Sequence, residues 1–260
     1  MVYRPSLVLV VALAGCTARQ TSDAHPPIAA RPLPWVHLAP PSGPFFVANA
    51  VAKVVPILRG DAPNIRYANL DRDGCLAELA RRELPFAAAE TMLGVDAPVR
   101  LRGPLHGVTF RSDRKSHHDV LDCRLVLALD DFAQLLAARD VVAVSYFDAY
   151  RSKTEFGCTR RYWGLQHCAA LAIDVHAFEH RDGTTLSVDR DFHGHIGLAT
   201  CVAGIVPSPT TKAATELWGL VCSAADAALF NVMLTPNFNA EHRNHFHLEL
   251  TPDAGWMMVH

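Results

Sequence analysis

The stretch Glu241-His242-Arg243-Asn244-His245-Phe246-His247-Leu248-Glu249-Leu250 decides how the chain is read. Its second half alternates polar and apolar residues with a period of two. A strand with one buried face does this, so His245, His247 and Glu249 share one side and Phe246, Leu248 and Leu250 the other. The apolar side belongs to a core. The polar side brings imidazoles together, and neutral imidazole is the commonest nitrogen ligand of zinc.

A second stretch, Gln166-His167-Cys168-Ala169-Ala170-Leu171-Ala172-Ile173-Asp174-Val175, adds a histidine and sets an aspartate inside an apolar run. Residues 170–178 read as a mostly buried strand, where an ionised carboxylate is costly unless it is paired or bound to a cation. Asp174 therefore needs a partner, either His167 alone in a hydrogen-bonded core pair or a metal ion. His167, Asp174 and His247 with one water would complete a tetrahedral zinc site with an open position, whereas structural zinc sites fill all four positions with Cys and His. An open position points to hydrolysis.

Hydrophobic periodicity places these motifs on an α+β scaffold, an antiparallel sheet that carries the zinc site and packs against helices. Residues 45–59, 74–83, 120–138 and 211–230 read as helices, and 99–101, 105–110 and 141–147 as strands. The strand at 141–147 leads to Asp148-Ala149-Tyr150-Arg151 in a loop, and Thr235-Pro236-Asn237-Phe238-Asn239 turns the chain back into the His245 strand. Asp174 and His247 are then expected on neighbouring antiparallel strands, with His167 arriving from the loop above.

With Tyr150-Arg151-Ser152, the His167 and Asp174 spacing with Ala172 between, and the terminal His-x-His, the chain resembles zinc peptidases of the lysostaphin, D-Ala-D-Ala carboxypeptidase and hedgehog group. Within that group it is most similar to the bacterial extensin-like C-terminal domain family. The residues that carry this likeness are the Cys75-x-x-Leu start, Ala97-Pro98-Val99, Leu121-Asp122-Cys123-Arg124, Ala172-Ile173-Asp174-Val175, and Leu234-Thr235-Pro236-Asn237-Phe238-Asn239 before His242. The likeness runs from Phe45 to Leu250. It implies a Zn2+ cofactor held by His167, Asp174 and His247, peptide-bond hydrolysis in peptidoglycan stem or cross-bridge peptides, and an Arg151 that sits over the metal and binds a substrate oxygen.

The related carboxypeptidases usually carry Ser two before the first histidine and Gly three after it, where this chain has Leu165 and Ala170. Asn244 stands where their pattern has a carboxylate general base, and an amide cannot take that proton. His245 matches instead the histidine that the murein endopeptidases of the group carry two before the last ligand, so it is the expected base. The competing reading is a non-catalytic, zinc-containing wall-binding or interaction module. Residue by residue, Arg151 reads as an oxygen-binding group or as a solvated loop cation. His242 reads as an orienting group or a solvent-facing turn residue. Glu249 reads as a hydrogen-bond partner of a ligand imidazole or as a surface residue. His193-Gly194-His195 and Ser116-His117-His118 lack a carboxylate in a buried strand and read as exposed.

Arg4, the apolar run from Leu7 to Leu13 and the ending Leu13-Ala14-Gly15-Cys16 resemble a lipoprotein signal, residues 1–16, with Cys16 lipidated. The alternative is an ordinary cleaved secretory signal. Residues 17–44 are Pro-rich with too little apolar content to fold, hence a tether, and residues 45–260 form the domain. Thr17 in place of aspartate after the lipidated cysteine points to the outer membrane, facing the periplasm. Six further cysteines, Cys75, Cys123, Cys158, Cys168, Cys201 and Cys222, suit disulfides in an oxidising envelope. Proximity favours 158 with 168 and 201 with 222, which leaves 75 with 123. About 215 residues after the tether, half of them hydrophobic over the whole chain, suffice for one domain with a sizeable core. A net charge of −2 leaves no basic field for nucleic acid.

Overall fold

The computed structural model describes residues 53–56, 60–114, 116–152 and 166–260. Among them, eight strands form the main sheet: β1 (Lys53–Pro56), β4 (Thr109–Ser112), β6 (Val141–Tyr146), β7 (Ala172–His180), β8 (Thr185–Ser187), β9 (Val232–Leu234), β10 (Phe246–Glu249) and β11 (Trp256–Val259). A second sheet holds β2 (Phe86–Ala88), β3 (Pro98–Leu101) and β5 (Leu121–Asp122). The helices are α1 (Pro63–Ala68), α2 (Arg72–Arg81), α3 (Cys123–Ala137), α4 (Val188–Asp191) and α5 (Lys212–Asp226). The fold is thus α+β, as expected. The main sheet is mixed rather than purely antiparallel, because β4 runs parallel to β6 and β9 to β11.

The order β1-β11-β9-β10-β7-β6-β4, with β8 beside β7, puts the two site strands in the interior of the sheet. There β10 pairs antiparallel with β7 and sets His247 directly opposite Asp174. Ile173 and Val175 turn from that pair into the main core, where Phe246 and Leu248 meet them. The alternation read in the sequence therefore survives: one face packs, the other carries the polar residues.

Helix α3 is buried along nearly its whole length, which suits its leucine-rich sequence, and it packs on α1, α2 and α5. It starts at Cys123 rather than at Val120. Leu121 and Asp122 first pair with β3, and the Asp122 carboxylate then caps the helix by accepting the Arg124 N–H at 3.0 Å. The acids that α3 buries, Asp130 and Asp131, are each met by Arg82 at 2.9 Å, as buried charges require.

Two sequence expectations are corrected. Residues 45–59 read as a helix, but 53–56 form the edge strand β1 against β11; the remainder lies outside the described residues. A short apolar run cannot be assigned by periodicity, and its Val54-Val55-Pro56 suits an edge strand, where a missing N–H costs nothing. The expected strand at 105–110 is instead a tight turn followed by β4. Leu105 and Val108 exchange backbone hydrogen bonds of 2.9 and 2.8 Å around His106 and Gly107, both at positive φ.

Disulfides join Cys75 to Cys123 and Cys201 to Cys222, the pairings that proximity favoured. The first ties α2 to α3 across 48 residues, worth about 4 kcal/mol in the loop-entropy account. The third expected pair involves Cys158, which lies outside the described residues. Among the described residues no helix is long and apolar enough to cross a membrane.

His260 is fully buried, and neither of its ring nitrogens finds a hydrogen-bond partner among the described residues. Burial pushes its pKa down from 6.5 to about 4. The unfolded ring takes a proton near pH 6.5 and the folded one resists until about 4. Its contribution to stability is therefore complete above the first value and lost as the pH falls through the second. His260→Phe should flatten the fall in Tm over that interval, removing at most about 3 kcal/mol of pH-dependent loss. Thermal melts of both proteins across that range check this, and parallel pH profiles would contradict it.

Candidate metal centre

Strand pairing makes the first contact. His247 Nδ1 lies 3.0 Å from Asp174 Oδ1 across the ladder. His167 comes from the 3-10 turn Gln166–Ala169, just before β7, and brings its Nε2 to 3.1 Å from the same oxygen and 3.3 Å from His247 Nδ1. All three residues are buried, and their facing atoms form a triangle that could hold a metal ion. Four-coordinate zinc with bonds of roughly 2.0–2.1 Å has ligand-to-ligand edges of roughly 3.3 Å. The observed edges of 3.0 to 3.3 Å match that size.

The outer hydrogen bonds decide which nitrogens face inward. His167 Nδ1–H donates to the Ala149 carbonyl at 3.0 Å, and His247 Nε2–H donates to Glu249 Oε2 at 3.0 Å. Both rings thus turn a donor outward and leave the other nitrogen to the triangle, the arrangement by which outer partners orient metal-binding imidazoles. Three acceptors meeting in a buried space require positive charge between them. A proton or a metal ion can supply it. Burial works against a charged His247, yet the hydrogen bonds to Asp174 and Glu249 outweigh it and lift its pKa to about 9. Burial likewise raises Asp174, but the imidazoles of His167 and His245 reverse this and hold the carboxylate well below its ordinary range.

Glu249 is fully buried, not a surface residue. It receives the Gln166 N–H at 3.2 Å and the Thr251 hydroxyl at 2.7 Å as well as His247, so it fastens the His167 turn to β10. Glu249→Gln should keep the fold and weaken any metal binding by roughly tenfold to a hundredfold. Competition against a chromogenic chelator measures this, and an unchanged affinity would contradict it.

Arg151 is not a solvated cation either. Its Nη2 makes a close ion pair with Asp174 Oδ2 while its Nε donates to Asp148 Oδ1 at 2.8 Å. Asp148, 1% exposed, supports the site a second time, because its backbone carbonyl accepts the Asp174 N–H at 3.1 Å. Sequence reasoning placed Asp148 in a loop and gave it no role. The signal available was an acid at the end of a strand three residues before an arginine.

His245 and His242 line the same centre. His245 Nε2 stands 3.5 Å from Asp174 Oδ1, and its Nδ1–H donates to Asn244 Oδ1 at 2.9 Å. Asn244 thus orients the ring it precedes. His242 is half-buried rather than solvent-facing, with its ring centroid 5.1 Å from that of His245 and 5.8 Å from that of His247. Its Nδ1–H donates to Asn239 Oδ1 at 2.7 Å. Burial drives both rings toward the neutral form, His245 to about 4 and His242 to about 2. Four imidazoles therefore gather at this centre, each held from behind by a hydrogen bond.

The other histidine pairs stay out of the triangle. His195 is exposed and His193 half-buried; His117 and His118, expected to be exposed, are half-buried against Tyr150, where His118 Nδ1–H donates to the Tyr150 carbonyl at 3.2 Å. The loop after Phe192 is instead held by Asn237, which the sequence placed only in a turn. Asn237 Oδ1 accepts the His195 N–H at 2.8 Å and its amide donates to Thr200 at 2.9 Å. A Cβ on Gly194 would lie 2.0 Å from that oxygen and 2.7 Å from the Phe192 ring. Gly194→Ala should therefore cost about 2 kcal/mol, read by denaturant unfolding, and a neutral result would contradict this packing.

A family model described as extensin-like protein C-terminus matches residues 73–259. No curated protein and no solved structure matches the chain.

Proposed function

The chain belongs to the extensin-like C-terminal family, and we propose that it is a zinc-dependent hydrolase of peptidoglycan stem or cross-bridge peptides. The observation that carries this reading is the triangle of His167, Asp174 and His247, with both imidazoles fixed from outside by Ala149 and Glu249 and a neutral His245 at its rim. Its likeness to the lysostaphin, D-Ala-D-Ala carboxypeptidase and hedgehog group of zinc peptidases supplies the reaction class.

His167, Asp174 and His247 would hold the zinc, which when bound supplies Lewis-acid polarisation of a carbonyl and of a water molecule. His245 Nε2 takes the proton of the attacking water and returns it to the leaving amine. The carboxylate missing at position 244 is not needed for this, because Asn244 Oδ1 fixes the tautomer that leaves Nε2 free. Arg151 is paired with Asp174 and aims it, and its partial exposure lets the same guanidinium face a substrate carboxylate. His242, anchored by Asn239, stands beside the His245 ring.

The location belongs to the same proposal. Residues 1–16 as a lipoprotein signal, lipidation at Cys16 and a tether over 17–44 would place the domain at the outer membrane, facing the periplasm; these residues lie outside the described ones. The second reading, a zinc-containing wall-binding module without turnover, is favoured by Asn244, which removes the usual carboxylate base. Incubation with cross-linked muropeptides, with and without zinc, followed by mass spectrometry separates them. Zinc-dependent shortening of the peptides supports the hydrolase, and muropeptide binding without product supports the module.

A further inference from the structure

Between the two sheets lies a cavity of about 340 Å³, walled by β3 and β5 on one side and by β4 and β6 on the other. Leu101, Phe110 and Leu121 give it apolar walls. The polar groups on its lining divide unequally between donors and acceptors. Tyr146 is 3% exposed, yet its hydroxyl makes no hydrogen bond among the described residues. Since the ring lines the cavity, that hydroxyl is available to a ligand there. Burial raises its pKa, so the hydroxyl stays a neutral donor.

Arg114, on the same lining, makes no side-chain hydrogen bond among the described residues; its one ion pair is a loose 3.4 Å approach to Asp148 Oδ2. The Ser116 hydroxyl is likewise without a partner among the described residues. Arg100 is different, because its three nitrogens are spent on Glu90 at 2.5 and 2.8 Å and on Asp119 at 2.9 Å. That network also neutralises the carboxylate Asp119. What remains open is a guanidinium fork and two hydroxyl donors, with apolar surface beside them.

We propose that this cavity binds a small carboxylate, its oxygens received by Arg114, Tyr146 and Ser116 and its apolar part covering Leu101, Phe110 and Leu121. A planar guanidinium suits a carboxylate, and hydrogen bonds to a charged group are the stronger kind. The volume fits a ligand of amino-acid size. The ligand's source is either a free amino acid or the carboxyl end of a peptide. Arg114 reaches from this cavity to Asp148, so the ligand would lie one side chain from the group that holds Arg151. The proposal does not rest on the metal or on hydrolysis.

Calorimetric titration of the full chain with N-acetylalanine, alanine and N-acetylalanine methyl ester tests it, each with zinc-loaded and with chelator-treated protein. Saturable binding of at least one acid, absent for the ester and kept after metal removal, is expected. Preference for the acetylated acid identifies a peptide end, and preference for alanine a free amino acid. Tyr146→Phe and Arg114→Gln should each weaken binding by roughly tenfold or more. Equal binding of the ester, loss on metal removal, or undiminished binding by both variants would overturn the assignment.

Discussion

His245→Ala should retain its zinc and lose roughly a hundredfold to ten-thousandfold of its turnover, the range that a positioned general base contributes. The atoms that could hold the ion belong to His167, Asp174 and His247, so removal of His245 leaves the triangle complete. What disappears is a neutral nitrogen 3.5 Å from the ligand carboxylate, aimed there by Asn244. Elemental analysis and muropeptide turnover on the same sample separate the two effects, and a Tm close to wild type excludes a packing defect. The rate of the wild type should fall on the acid side, as His245 takes a proton and ceases to be a base. Burial already lowers that ring to about 4, and a nearby dication would oppose protonation further, so the acid limb should lie below the ordinary 6.5. If the variant keeps both metal and full activity, His242 becomes the base to test.

Asp174→Ala and His167→Ala should each lose zinc by a hundredfold or more in affinity, a larger effect than the roughly tenfold to hundredfold expected when an outer partner such as Glu249 is altered. Either change leaves two of the three side chains that could hold the ion. Asp174→Ala also strips Arg151 of one of its two carboxylates and should destabilise the metal-free protein, though Asp148 and partial exposure limit the cost. Asp174→Asn removes the charge and keeps the shape, so it isolates the metal effect from the packing one. Unchanged zinc content in folded Asp174→Ala and His167→Ala would put the ion elsewhere.

The sequence made the site legible where strand geometry alone decides it. Alternation over residues 245–250 aligned His247 with Glu249, and an aspartate in an apolar run demanded a partner across the ladder. It failed where burial decides. Glu249 and Arg151 each had an exposed alternative, because nothing local says that Glu249 meets the Gln166 turn or that Arg151 bridges Asp148 and Asp174. Asn237 and Asn239 sit two apart in one turn yet hold different elements, the Gly194 loop and the His242 ring. Such roles depend on contacts far along the chain. The misread helix at 53–56 and the misplaced strand at 105–110 have local causes: a run too short to show its period, and a turn in which His106, like Gly107, takes a positive φ.

The most direct test of the account is anomalous diffraction at the zinc edge from crystals of the zinc-loaded protein. A single strong peak is expected within roughly 2.0–2.2 Å of His167 Nε2, His247 Nδ1 and an Asp174 oxygen, with His245 Nε2 close by but not bonded to it. No peak at that position, in a crystal where the three side chains are ordered, would contradict the metal centre and the hydrolase reading built on it.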